Sequence, residues 1–107
     1  MPGFLANIEA IKGKGVDTVA CISVNDAFVM GAWGKDRQVR DKILMLADGS
    51  GEFSQAMDLT MDLTKNGLGT RSQRYAMIVN DGKIEQLFVE KPGAFEASTA
   101  ENVLKHL

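Results

Sequence analysis

The sequence predicts an α/β domain in which a mixed sheet is flanked by helices. Three observations carry that prediction. Two short, nearly continuous apolar runs, DTVACISV at 17–24 and ILMLA at 43–47, alternate with helix-like segments. Two more runs, YAMIVN at 75–80 and IEQLFVE at 84–90, are separated by Asp81-Gly82, a strong hairpin signal. The chain then closes on a capping-box pattern, Ser98-Thr99-Ala100-Glu101, ahead of a last apolar helix face. The order αβαβα–ββα places helices on both faces of the sheet.

Taken in order, residues 2–12 carry Phe4, Ile8 and Ile11 at i, i+4 and i+7, one stripe of an amphipathic helix, with Pro2 tolerated in its first turn. Gly13 and Gly15 end it. Residues 17–24 are β-branched and too short for an ordinary helix, so they read as a strand buried on both faces. Asn25 is placed to cap a helix over 26–33 that carries Phe28, Val29 and Trp33 and stops at Gly34. Residues 43–47 form the next buried strand. A loop at 48–51 leads to a short helix over 52–59. Residues 60–73 show no strong periodicity. The final helix presents Val103, Leu104 and Leu107. The first two strands read as central, which requires neighbours on both edges. The sheet is therefore narrow, or a partner supplies strands, or part of the domain lies outside these residues.

Composition bounds the function. The 107 residues are 45% hydrophobic and 24% charged, as in an ordinary globular domain, which excludes a disordered tail or a coiled coil. A net charge of -2 leaves no basic field for nucleic acid or an anionic membrane. One cysteine excludes an internal disulfide framework and a cysteine-rich zinc site, and it fits a reducing compartment. No apolar run spans a bilayer and no secretory signal is visible, so the cytosol is the expected compartment.

Few residues suggest chemistry by themselves. His106, the one histidine, stands beside the C-terminus without an acid or hydroxyl at a triad-like spacing. Asp58 and Asp62 would share a helix face as a solvated pair. Gly67-Leu68-Gly69 follows no strand and has Ser72 at the third glycine position, so it is no dinucleotide fingerprint. Gly13-Lys14-Gly15 lacks phosphate-loop spacing. Met45, Met57, Met61 and Met77 read as core filler. Two readings are open for Cys21: a packed, inert thiol or a reactive one. Arg71 and Arg74 bracket the start of the Tyr75 strand, either as surface residues or as guanidinium donors to an anion.

Longer motifs say more. PGF at 2–4, KGVD at 14–17, SVNDAFV at 23–29, AWGK at 32–35, LADGSGEF at 46–53, GLGTRSQRY at 67–75 and STAENVL at 98–104 occur in order. In these the chain resembles the type II peroxiredoxins, over essentially its whole length. The resemblance implies a thioredoxin-like fold and a thiol peroxidase that reduces hydrogen peroxide and organic hydroperoxides. The expected reductant is glutathione, glutaredoxin or thioredoxin, with no cofactor or metal and with a homodimer as the assembly. The family's peroxidatic cysteine lies in a Pro-Gly-Ala-Phe-Thr-Pro-x-Cys segment upstream of Pro2-Gly3-Phe4. The resemblance thus implies a partial redoxin domain over 1–107, truncated just after that cysteine and lacking the N-terminal strands. Pro92-Gly93-Ala94-Phe95 repeats four letters of the segment without a cysteine and reads as the connection into the last helix. Arg74 matches the family's active-site arginine, and Cys21 matches a second cysteine with a resolving role in some members. The alternative is a catalytically dead short module that dimerises with a full-length peroxiredoxin.

Overall fold

A computed structural model describes residues 2–91 and 93–107. The chain divides into two compact units. Residues up to Val16 together with Gln73–Leu107 form one, and Asp17–Ser72 form the other.

The first unit opens on α1 (Pro2–Ala6) and α2 (Ile8–Gly13), where one helix over 2–12 is expected. The break falls at Asn7, whose side-chain amide donates to the Gly3 carbonyl at 2.8 Å. A short polar side chain that bonds nearby backbone competes with a regular helix in this way. Ile8 and Ile11 of the expected stripe are buried, and Phe4 is half-buried.

In the second unit, β1 (Ala20–Ser23) and β2 (Leu44–Ala47) pair in parallel, with Cys21 opposite Met45. They are joined through α3 (Ala27–Asp36), giving a βαβ unit. The expectation of strands buried on both faces is corrected here. β1 is half-buried, and Leu44 and Leu46 on β2 are exposed, because a two-stranded sheet gives each strand one neighbour only.

Asp26, not Asn25, caps α3, its carboxylate accepting from the Val29 N–H at 2.8 Å. The Asn25 amide is instead drawn to the Ser23 hydroxyl at 3.0 Å. α3 also runs through Gly34, where the sequence places its end. A Cβ at Gly34 would lie 3.0 Å from Met45 Cγ and 3.3 Å from Val39 Cγ2, so the glycine permits close helix–strand approach rather than a stop. Met30 and Gly34 form the buried side of α3, whereas Phe28 is 89% exposed.

The next helix, α4, covers only Glu52–Ala56. Asp58 then takes a positive φ of 56°, and Asp62 lies in a strand, so the two never share a helix face. Residues 60–73, which show no pattern, hold an antiparallel pair: β3 (Thr60–Leu63) and β4 (Gly69–Ser72). Gly67 and Gly69, both at positive φ, let the chain turn between them. Val24, Met30, Val39, Ile43 and Leu59 are the buried apolar residues of this unit. Met45, Met57, Met61 and Met77 are half-buried, so Met30 is the methionine that fills a core.

Back in the first unit, β5 (Tyr75–Asn80) and β6 (Lys83–Val89) form the expected hairpin. Asp81 and Gly82 have φ of 52° and 75°, the positive pair that a type I′ turn requires. The last helix, α5 (Ala100–Lys105), is capped by Thr99, which accepts from the Asn102 N–H at 3.2 Å. Ser98, the expected cap, is engaged elsewhere. Ala100 and Val103 are buried, and the His106 ring meets Phe88 of β6 with centroids 4.9 Å apart. Parallel and antiparallel pairing thus both occur as expected, but among the described residues they form three two-stranded sheets rather than one. Among the described residues no helix is long and apolar enough to cross a membrane.

Candidate active site

Arg74 stands immediately before β5. Its carbonyl accepts the Glu90 N–H at 2.9 Å, which extends the hairpin ladder one step past the Tyr75–Val89 pair. The backbone is fixed by that bond, and the side chain is exposed. Its guanidinium carbon lies 4.8 Å from the centroid of the Phe95 ring. A cation over an aromatic face at such a distance is worth about 0.5–1 kcal/mol when exposed. The guanidinium carries five N–H donors in a rigid fork. With one face on a ring, it remains able to meet an anion.

Phe95 is held by an unusual loop. The Glu90 carboxylate is buried and accepts four hydrogen bonds: Glu96 N–H at 2.7 Å, Ala97 N–H at 3.0 Å, Ser98 N–H at 2.8 Å and Ser98 Oγ at 2.7 Å. Burial raises the pKa of this carboxyl, but the bonds from Ser98, Ala97 and Glu96 outweigh it and hold the value at about 2. From the other side, the Asn102 amide donates to the Ala97 carbonyl at 2.7 Å and the Thr99 hydroxyl to the Glu96 carbonyl at 2.9 Å. The stretch 96–98 is therefore tied to both β6 and α5. In the repeat of the active-site letters, Pro92 falls outside the described residues and Phe95 is the residue that meets Arg74.

Arg71 is committed differently. It lies in β4 and donates to the Asn25 side-chain oxygen at 2.9 Å, which ties that strand to the end of β1. The two arginines that the sequence brackets together thus have separate roles, and they belong to separate units. Cys21 lies in β1, within Asp17–Ser72, half-buried and opposite Met45 in the strand pair. Burial pushes its thiol pKa up, which lowers the thiolate fraction.

The second buried carboxylate, Asp48, accepts from the Phe53 N–H at 3.1 Å, the Ser54 N–H at 2.9 Å and the Ser54 hydroxyl at 2.8 Å. Burial raises its pKa and these bonds more than offset the rise, so the carboxyl stays below the usual range. It does the work of a cap for α4, whose own cap position, Gly51, has no side chain to offer. Among the described residues no group of three or more His, Cys, Asp and Glu is arranged to hold a metal ion.

Comparison with known proteins fits this arrangement into a family. The redoxin family pattern matches residues 1–104. Peroxiredoxin-2E, chloroplastic, of Arabidopsis thaliana is 47% identical over 109 residues, which cover 100% of this chain and 47% of that protein. Peroxiredoxin-2D of the same plant is 45% identical over 107 residues, covering 100% of this chain and 66% of the relative. Reduced Prx3 of Vibrio vulnificus, solved in complex with hydrogen peroxide, superposes with a TM-score of 0.94 at 50% identity, over 99% of this chain and 68% of that one. The chain belongs to the redoxin family, and within it to the type II peroxiredoxins with their thioredoxin-like fold. It spans between about half and two thirds of the length of these plant relatives.

Proposed function

We propose that these residues serve a thiol peroxidase that reduces hydrogen peroxide and organic hydroperoxides to water and alcohols. In that reaction a cysteine thiolate attacks one peroxide oxygen, the O–O bond breaks, and alcohol or water leaves. The sulfur is oxidised to a sulfenic acid, which two thiol equivalents from glutathione, or from glutaredoxin or thioredoxin, return to the thiol with release of water. Arg74 is the residue assigned to this chemistry. Its positive charge favours the thiolate and stabilises the negative charge that develops on the departing oxygen.

The observation that carries the reading is the placement of Arg74: a backbone locked into the hairpin ladder and an exposed guanidinium seated on Phe95. Cys21 is assigned a packing role, because a thiol with a raised pKa in an apolar strand is a poor nucleophile. The reading carries a homodimer in a reducing, cytosolic compartment. A second copy would cover apolar side chains such as Phe28, which is 89% exposed. The same exposure supports the second reading, a module that binds a full-length relative without turning over peroxide.

The test is a peroxidase assay with glutathione and glutaredoxin. The 107 residues alone are expected to match a generic thiol, and the chain joined behind a Pro-Gly-Ala-Phe-Thr-Pro-x-Cys segment with its strands is expected to turn over. Robust activity of the 107 residues that Cys21→Ser abolishes would make Cys21 the nucleophile. A joined chain that folds yet stays inactive would favour the binding module.

A further inference from the structure

Glu90 acts on Arg74 twice. Its backbone N–H donates to the Arg74 carbonyl at 2.9 Å, and its buried carboxylate gathers the three successive N–H groups of Glu96, Ala97 and Ser98 together with the Ser98 hydroxyl. Phe95 is the residue directly before that gathered turn, and its ring is what lies against the guanidinium. Phe95 is 56% exposed, so packing around it is too sparse to fix its place. The loop backbone must do so, and the loop backbone is organised around one carboxylate.

We propose that Glu90 is a positioning residue for Arg74: by folding residues 96–98 around its carboxylate, it seats Phe95 under the guanidinium and restricts where that charge can point. This inference rests on the reading of Arg74 as the charge that serves the thiolate. The physical reason is entropic. An exposed arginine samples many rotamers, and a charge intended for a transition state gains most when it is held in place beforehand. A ring on one face removes much of that freedom without consuming the N–H donors. Four hydrogen bonds to one ionised carboxylate form a rigid support for it.

The experiment is NMR on the 107-residue chain, reading the Arg74 Nε–H resonance in mildly acidic buffer. Protons over an aromatic face are shifted upfield by the ring current. The parent chain should show Arg74 displaced upfield, and Phe95→Ala should abolish the displacement while leaving the Glu96–Ser98 amide resonances dispersed. Glu90→Gln should lose most of the displacement although the ring is still present, and Ser98→Ala should lose part of it. The hairpin resonances and the Phe88–His106 ring contact report that a variant has folded. If Glu90→Gln does not fold, Ser98→Ala, which removes one of the four bonds, decides. An Arg74 resonance that stays in place in the folded carboxylate and serine variants, while the 96–98 amides move, would overturn the proposal. So would a Phe95→Ala chain with an unchanged Arg74. None of these readouts uses turnover. Full peroxidase activity of Arg74→Ala in the chain joined behind the cysteine segment would therefore refute the functional reading and leave the positioning intact.

Discussion

Gly31 and Gly34 lie one turn apart on the same helix and should respond oppositely to alanine. At both positions a methyl replaces hydrogen in the interior of α3, which favours the helix by about 1 kcal/mol. At Gly31, which is exposed, a Cβ meets nothing within 4 Å, so Gly31→Ala should keep that whole gain. At buried Gly34 the same Cβ would sit 3.0 Å from Met45 Cγ and 3.3 Å from Val39 Cγ2. Both atoms lie near their own backbones, so neither side chain can swing clear by moving its tip alone. Overpacking of this kind costs about 1–3 kcal/mol, which cancels or exceeds the helix gain. Gly34→Ala should therefore be neutral to about 2 kcal/mol destabilising, and the two variants should differ by about 1–3 kcal/mol. Urea denaturation followed by far-ultraviolet circular dichroism measures this directly. With slopes of about 1–3 kcal/mol per molar urea, the two midpoints should separate visibly, Gly31→Ala above the parent and Gly34→Ala at or below it. Equal stabilisation by both alanines would refute the reasoning, because it would mean that α3 does not press on Met45.

Glu90 and Asp48 set an acid limit. Their folded pKa values lie below the unfolded ones, so their contribution is fully present above the unfolded range and is lost as pH falls through the folded values, for Glu90 from 4.5 to about 2. Thermal midpoints across that window should fall, with the protection of the Glu96–Ser98 amides against exchange falling relative to their intrinsic rates; flat midpoints would contradict the two carboxylate supports. Cys21 should alkylate with iodoacetamide more slowly than a free cysteine at neutral pH, and urea should remove the difference, because burial is what raises its pKa. Gly82→Ala should destabilise the hairpin by about 1 kcal/mol, since φ of 75° is costly for a residue with a Cβ, and denaturation midpoints would show it.

What the sequence made legible was local. The hairpin at 75–89 follows from Asp81-Gly82, whose turn chemistry needs no tertiary context. The parallel strands follow from short apolar runs, β-branched at 17–24 and leucine- and methionine-rich at 43–47. The β3–β4 pair was not legible, because its four-residue strands contain Asp62, Thr70, Arg71 and Ser72 and draw their order from pairing rather than from a hydrophobic pattern. The end of α3 was misplaced because Gly34 looks like a helix stop in sequence and acts as a packing notch against Met45 in space. In the site, Arg74 is left open by its position before Tyr75, as a surface residue or as a donor to an anion like Arg71, and the family resemblance is what proposes it for the chemistry. Phe95, Glu90 and Ser98 were missed as a group. Their link is a carboxylate reaching six to eight residues along an irregular loop, for which no periodicity exists. The engagement of Ser98 also explains why the cap lies one residue on, at Thr99.

The most direct test of the central claim compares two single variants in the chain joined behind its family's cysteine segment, by following hydroperoxide consumption in stopped flow. Arg74→Ala should slow thiolate oxidation by a factor of about 10²–10³, the usual loss for one positioned transition-state donor. Cys21→Ser should leave the rate of that step unchanged. Equal rates for the parent and Arg74→Ala would contradict the account.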